Sequence, residues 1–288
     1  MNADTDHNSG AKPDHSLSSW KAESSLWTDG PFLAGLVILS SFYILLIGAM
    51  LSADILFASS RPHAVIDTLK TPEIRYAVWL SLLSCSITAI LSLWVAIPIG
   101  YLMSRFQFPG KSLLDSILDI PIFLPPLVIG LSLLILFRQT PLRILDDYFG
   151  IAFHVPAVII AQFSVASAFA VRTLRSTFDT VSPRVEQVAL TLGCSRSQAF
   201  FAVVIPQCWR GIMTAGILAW ARALGEFGPI LVFAGSTRRR TEVLPVSVHM
   251  ELSIGNIEGA VGVSLLMVVI ALSVLIIVRL LSGQEKIW

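Results

Sequence analysis

The sequence predicts an all-α membrane protein with about six transmembrane helices, on three observations. Of the 288 residues, 55% are hydrophobic and only 14% are charged, whereas a soluble domain carries about 25% charged residues. The mean hydropathy is +0.76. The apolar residues fall in long blocks that reach roughly the 17–25 residues that a spanning helix needs. Each block should be helical, because lipid cannot satisfy the backbone hydrogen bonds of an open strand.

Six apolar blocks follow one another along the chain. They cover residues 32–57, 76–104, 113–137, 155–178, 211–235 and 260–281. The third contains Pro125 and Pro126, and the fourth is diluted by Gln162 and several serines. Residues 1–30 are polar, and we expect a disordered cytoplasmic tail there. A cleaved secretory signal is the alternative, although such a signal has a short basic start and an apolar core of about 7–15 residues. Residues 31–288 then form one transmembrane domain.

Six spans place both chain ends on one side of the membrane, and we expect that side to be the cytoplasm. In this orientation eleven Lys and Arg residues lie inside and eight lie outside, with Arg222 left within a span. The excess agrees with the positive-inside rule. The triplet Arg238–Arg240 then lies on the outer side. It either attracts an anion or an anion-delivering partner there, or forms an ordinary solvated loop.

The sequence contains no recognisable catalytic, metal or cofactor motif. The formal net charge of +1 gives no reason to expect a nucleic-acid partner. The three cysteines form no closely spaced pair, and the five histidines are scattered. Lys111 and Ser112 resemble the end of a phosphate-binding loop, but Arg105 occupies the position of its first glycine. We therefore expect that this chain is not itself an enzyme.

The stretch between the fourth and fifth blocks, residues 179–210, has the local pattern of two short helices. Ser182 can cap a helix, and Pro183 suits its first position. The apolar side chains of that helix share one face; they are Val185, Val188, Ala189 and Leu192. Gly193 can end it in the left-handed conformation, and Ser195 begins a second short helix with a capping-box glutamine three residues later. The pattern predicts either a docking element or an amphipathic helix on the membrane surface.

The same stretch resembles the EAA loop of ABC importer permeases. The family pattern is E-A-A, three residues, Gly, nine residues and then I-x-L-P. Gly193 matches the glycine, and after nine residues 203–206 read VVIP. The acidic end departs from the pattern, since 187–189 read QVA and Glu186 lies one residue early. The resemblance implies the type I ABC importer permease fold, with this loop docking as a cytoplasmic coupling helix on a separate ATPase. Residues 179–210 are therefore called the coupling loop below. The residues that the resemblance assigns to this coupling are Glu186, Ala189, Gly193, Ile205 and Pro206.

Two further stretches are similar to the molybdate, tungstate and sulfate permeases, with the molybdate type closest. Residues 120–130 read IPIFLPPLVIG and residues 221–228 read ARALGEFG, where that branch often reads LPxxLPPxxxG and ARxLGEFGA. Pro229 departs from the small residue that is common there. The resemblance, over residues 72–281, implies ATP-driven import of a small oxyanion. Molybdate is favoured, and sulfate, thiosulfate or tungstate are alternatives. It also implies two ATPase copies, an extracellular or periplasmic binding protein, a second permease copy and the lipid of the inner membrane as partners.

Arg222 and Glu226 lie four residues apart inside the fifth block. A bare charge at the bilayer centre costs about 2.5–3.5 kcal/mol, so the two should pair and face the protein interior or a watery path. Arg222 then either tunes the passage of an oxyanion or belongs to a structural ion pair. Pro125 and Pro126 break the third block, which makes a hinge or a cavity wall, or only a common kink. These four residues are the predicted translocation pathway.

A membrane protein of another class is the remaining alternative. An ion-coupled carrier should show charged residues in several spans, and many are built from internal repeats. This sequence shows neither feature clearly. An intramembrane enzyme should show a catalytic set of residues, and none is evident in the sequence. The importer permease is therefore the favoured reading.

Overall fold

A computed structural model describes residues 30–281, and this range is helical without a β-strand. The helices are α1 (Gly30–Ser60), α2 (Pro62–Leu69), α3 (Pro72–Arg105), α4 (Lys111–Phe123), α5 (Pro126–Arg138), α6 (Leu142–Phe149), α7 (Val155–Thr180), α8 (Pro183–Thr191), α9 (Arg196–Ala199), α10 (Ile205–Gln207), α11 (Trp209–Leu224), α12 (Gly228–Phe233), α13 (Leu244–Ser253) and α14 (Ile257–Leu281). A π-helical turn, Phe200–Val204, joins α9 to α10. The predicted all-α class is confirmed. The predicted tail 1–30 lies, apart from Gly30, outside the described residues.

Four of these helices are long and apolar enough to cross a membrane, and two bent helix pairs bring the number to six if each is one span. The four are Phe32–Ser60, Pro72–Arg105, Val155–Thr180 and Ile257–Ile277. The third predicted block corresponds to the pair α4 and α5, and the chain bends by 111° between these two helices. The other pair, Arg196–Gln207 and Trp209–Leu224, is bent by 72°. The described residues therefore contain four to six candidate spans, and the predicted number of six is reached when each bent pair counts as one broken span.

The chain divides into two compact units, one ending at Ala53 and the other beginning at Asp54. The described part of the first unit is the apolar segment 30–53 of α1. Every site described below lies in the second unit.

Within the second unit, α3, α7 and α11 form the core. Their contact surfaces are rich in buried alanines, which allow helices to approach closely; among them are Ala77, Ala89, Ala96, Ala161, Ala166, Ala170, Ala215 and Ala219. Gln162, the residue that dilutes the fourth block, is fully buried among them. Its side-chain amide donates to the carbonyl oxygen of Ala223 at 3.2 Å, and Thr88 donates to its amide oxygen at 3.2 Å. Gln162 thus joins all three core helices.

Candidate translocation site and coupling loop

The four residues predicted to line a translocation pathway surround one cavity of about 340 Å³. They are Pro125, Pro126, Arg222 and Glu226. The rest of the wall is formed by Leu127, Gly225, Phe227 and Gly228. This cavity, called the Pro–Gly cavity below, lies where the break between α4 and α5 meets the break between α11 and α12. The structure therefore brings together two motifs that are about 100 residues apart in the sequence.

Each of the two breaks has a local cause. Pro125 and Pro126 stand at the N-cap and the first position of α5, and neither has a backbone N–H with which to continue the preceding helix. On the other side α11 ends at Leu224. The next helix begins at Gly228 with Pro229 in its second position, where a missing N–H costs no helical hydrogen bond. Both spans are thus interrupted by residues that cannot complete the backbone ladder.

Two glycines allow the broken helices to touch. A Cβ atom added to Gly228 would lie 2.8 Å from the Cβ of Pro126, and one added to Gly130 would lie 2.8 Å from the Cα of Pro229. Each helix thus packs a glycine against a proline of the other. Gly225 differs, because the nearest atom to its added Cβ, the carbonyl oxygen of Ala221, would be 3.8 Å away. Close approach requires glycine at 130 and 228, but not at 225.

Arg222 and Glu226 form an ion pair in the wall of the Pro–Gly cavity. The Nη1 atom of Arg222 lies 2.9 Å from Oε2 of Glu226, and the two side chains are 31% and 1% exposed. The guanidinium also lies over the ring of Phe169, 5.5 Å from its centroid. A guanidinium carries five N–H donors, and Arg222 is a partly exposed cation in a wall that is otherwise mostly apolar. The site can therefore offer hydrogen bonds to an anion while a buried carboxylate balances its charge.

The coupling loop has the local structure that its sequence predicts. Helix α8 begins after Ser182, whose Oγ accepts from the amide of Arg184. Gly193 has φ +92°, which is the left-handed turn expected of it. The second helix opens with a complete capping box, in which Ser195 and Gln198 bond each other's backbone amides. It then continues through the π-helical turn 200–204, because Pro206 has no N–H for the normal ladder.

The apolar face of α8 is divided between the interior and the surface. Ala189 is buried. The other three members are exposed, at 38% for Val185, 57% for Val188 and 80% for Leu192. Phe201, on the π-helical turn, is also 69% exposed. Exposed large apolar residues grouped on one surface mark contact sites with a partner or a membrane.

Glu186 points into the chain and not away from it. Its Oε2 lies 3.4 Å from Nε of Arg105, at the end of α3, and the two side chains are 13% and 8% exposed. Its Oε1 accepts a hydrogen bond from the hydroxyl of Tyr101, one turn earlier. Neither Tyr101 nor Arg105 was predicted as a site residue. Arg105 ends the second apolar block, and no local motif connects it with a glutamate 81 residues further on.

The arginine triplet, residues 238–240, forms a folded turn in the structure. Arg238 pairs with Glu251 at 2.9 Å, and this hydrogen bond raises the pKa of its guanidinium. Nη2 of Arg240 lies 3.2 Å from Nε2 of His154. Arg239 has φ +57°, and its amide donates to the fully buried Glu242.

Among residues 30–281 no group of three His, Cys, Asp or Glu side chains is placed to hold a metal ion.

Helix α4 is held against α7 by two ion pairs, Arg172 with Asp119 and Arg175 with Asp115. The four side chains border a second cavity of about 320 Å³. The acidic residues of α4 are four apart and the basic residues of α7 are three apart, so each set lies on one helix face. Helix α4, the first half of the third predicted span, is therefore joined to α7 by two ion pairs.

The family model for the inner membrane component of binding-protein-dependent transport systems matches residues 96–284. Three curated relatives are similar over most of their length. The molybdate/tungstate transport system permease protein WtpB of Thermococcus kodakarensis is 31% identical over 86% of this chain and 95% of its own. The molybdenum transport system permease protein ModB of Escherichia coli K12 is 34% identical over 76% and 97%. The sulfate transport system permease protein CysW of the same strain is 30% identical over 88% and 90%.

The fold also matches a solved structure, that of a bacterial alginate ABC transporter in complex with an alginate pentasaccharide-bound periplasmic protein. The TM-score is 0.73 at 13% sequence identity, over 90% of this chain and 96% of that one. At this identity the likeness concerns the fold alone, and it confirms the predicted importer-permease fold.

Proposed function

This chain belongs to the family of binding-protein-dependent transport system inner membrane components, and we propose that it is the membrane-spanning permease of an ABC importer for a small oxyanion. Molybdate is the favoured cargo, with tungstate and sulfate or thiosulfate as alternatives. The observation that carries the proposal is the Pro–Gly cavity, because it places Arg222 and Glu226 together at the meeting point of two broken helices. The relatives at 30–34% identity are transport permeases and not enzymes.

The charges of the cavity fit a transient anion site. A guanidinium binds a tetrahedral oxyanion through paired N–H donors, and Arg222 is partly exposed in the cavity wall. A lone arginine in an apolar wall would hold a dianion strongly, whereas conduction requires a site weak enough to release it. Glu226, 2.9 Å away, offsets the positive charge. The pair thus favours entry of the anion without trapping it.

The coupling loop is the proposed contact with the ATPase. Its exposed surface presents Val188, Leu192 and Phe201, and the left-handed turn at Gly193 separates α8 from α9. We assign three further residues to the same coupling element: Ala189, which is buried, Ile205, which packs against the core, and Pro206, which is exposed. Each of two permease copies would dock one ATPase. A cyclic pair is the commonest symmetric assembly of identical chains, and we propose it here.

The orientation follows from the position of this loop. If the coupling loop faces the cytoplasm, six spans place both termini there too, in the inner membrane. The turn that holds Arg238 and the N-terminal end of α7 then faces outward. We propose that the extracellular or periplasmic binding protein delivers its anion on that side.

The first experiment is a pull-down of the tagged chain from membranes solubilised in mild detergent, followed by identification of the proteins that come with it. We expect an ABC ATPase in the wild-type sample and its loss in Gly193→Asp. Competition of molybdate, tungstate and sulfate for ATP-driven uptake into vesicles would then rank the cargo. Uptake without any recovered ATPase would instead point to an ion-coupled carrier and contradict the proposal.

A further inference from the structure

The cytoplasmic end of α3 holds the coupling loop by a compact set of polar contacts. Arg105 donates through Nη2 to the carbonyl oxygen of Val181 at 2.8 Å, and its Nε lies 3.4 Å from Glu186. One residue earlier, Ser104 donates to Asp179 at 2.6 Å. The end of α7 and the beginning of α8 are thus both attached to the last turn of α3.

Tyr101 supports the same contact with its ring and its hydroxyl. The hydroxyl donates to Oε1 of Glu186. The ring packs against Phe178 of α7 at a centroid distance of 5.8 Å and against Phe200 of the loop at 4.6 Å. Aromatic pairs at such distances contribute beyond their buried area. Tyr101 therefore belongs to a core helix and touches the end of α7, helix α8 and the π-helical turn.

Glu186 is held inside the chain through both carboxylate oxygens. Oε1 accepts a hydrogen bond from Tyr101, and Oε2 lies 3.4 Å from Nε of Arg105, an ion-pair contact without hydrogen-bond geometry. The side chain is 13% exposed. By contrast, Val188 in α8 and Leu192, directly after its last residue, are 57% and 80% exposed. A carboxylate that is paired inside the chain and mostly covered has little capacity left to bind a second protein. The face that meets a partner is the apolar one.

We propose that Glu186 is a positioning residue that fastens the coupling loop to α3 through Arg105 and Tyr101. This inference rests on the proposed function, and it divides the loop into two surfaces. The exposed apolar face binds the ATPase, and the buried ion pair passes the movement of the loop to the transmembrane helices. The link resists separation because loss of either partner would leave the other charge mostly covered and uncompensated.

The test is a double-mutant cycle with Glu186→Gln, Arg105→Met and the two combined, in the complete complex reconstituted in vesicles. Two quantities are measured, the ATPase recovered with the tagged permease and the anion transported per ATP hydrolysed. We expect recovery to stay within about twofold of wild type in all three, and transport per ATP to fall about tenfold in each single variant. The double variant should be no worse than either single one, because residues acting through each other are not additive.

Two further variants separate positioning from docking and from simple misfolding. Leu192→Asp, on the exposed face, should abolish recovery of the ATPase. Tyr101→Phe removes only a hydroxyl and should lower transport per ATP by about tenfold, since a hydrogen bond to a carboxylate is worth about 1.5 kcal/mol. A loss of stability alone would reduce the amount of complex but not the ratio of transport to hydrolysis.

Three outcomes would overturn the proposal. If Glu186→Gln loses the ATPase as Leu192→Asp does, the carboxylate acts in docking. If the effects of Glu186→Gln and Arg105→Met multiply, the two residues act independently. In the tagged chain without partners, trypsin should cleave after Arg184 several-fold faster in Glu186→Gln, and an unchanged rate would refute the link by itself. Failure of wild type to recover any ATPase would instead refute the proposed function, and the trypsin result distinguishes the two cases.

Discussion

Arg222→Ala and the double variant Arg222→Ala/Glu226→Gln separate the structural role of the ion pair from its role in transport. Glu226 is 1% exposed and has Arg222 as its charged partner at 2.9 Å. Removal of the arginine alone leaves a buried carboxylate without compensation. Replacement of the carboxylate by an amide of similar shape in the same chain removes that charge. The two variants therefore differ in one buried charge and in little else.

The expected loss of unfolding free energy follows from the distance between the two charges and from how far they are exposed. At 2.9 Å and an effective dielectric constant of about 20, the attraction between unit charges is roughly 6 kcal/mol. Desolvation offsets part of it, and removal of one partner of a buried pair costs about 3–5 kcal/mol. Because Arg222 is 31% exposed, we expect the lower end, about 3 kcal/mol for Arg222→Ala. That equals a fall in Tm of roughly 6–12 °C for a chain of this size. The double variant should stay within about 1 kcal/mol of wild type.

The assay combines thermal unfolding in detergent with ATP-driven anion uptake by the reconstituted complex. The double variant should be nearly as stable as wild type, yet its uptake should be at least about tenfold slower, because the hydrogen bonds of a guanidinium to an anion are lost. Normal uptake in the stable double variant would show that Arg222 is only structural. A double variant as unstable as Arg222→Ala would refute the argument from the buried charge.

Three further predictions concern the glycines and the buried amide. Gly228→Ala should lower the free energy of unfolding by about 1–3 kcal/mol, because its Cβ would press on Pro126. Gly225→Ala is the matched control and should be nearly neutral. Equal Tm values for the two variants would contradict this prediction. Gly193→Ala should cost about 1–2 kcal/mol at φ +92° and weaken recovery of the ATPase, whereas Gly193→Asn should retain it, as a pull-down would report. Gln162→Leu should lower the free energy of unfolding by about 1–3 kcal/mol, because the partners of its side-chain amide lose their hydrogen bonds. An unchanged Tm would show that these bonds do not stabilise the fold.

Local signals in the sequence predict the coupling loop well. The serine caps, the left-handed glycine and the capping box at Ser195 each depend on neighbours within four residues, and the structure contains them all. The proline pair likewise predicts a break in the third span. Its angle of 111° could not be predicted, because hydropathy reports how apolar a segment is and not where it points.

Contacts between distant residues are what the sequence alone does not reveal. Gln162 weakens the fourth block as a span, yet it is the amide that joins three core helices. Glu186 matches a family motif one residue out of register, and its partner Arg105 is a residue that simply ends a helix. In both cases the sequence shows that a side chain can form hydrogen bonds or carry a charge. It does not show which residue is the partner, because that residue lies on another helix that only the folded chain brings near.

The two regions of interest are connected by one rigid element. Helix α11 runs from Trp209, at the end of the coupling loop, to Leu224, two residues before Glu226. Its sixteen residues span about 24 Å at 1.5 Å per residue. Its buried alanines pack against α3 and α7, and α3 also holds Glu186 at its end. Helix α11 therefore joins the coupling loop to the wall of the Pro–Gly cavity, and any movement passed along it would reach the glycine–proline contacts at the two breaks.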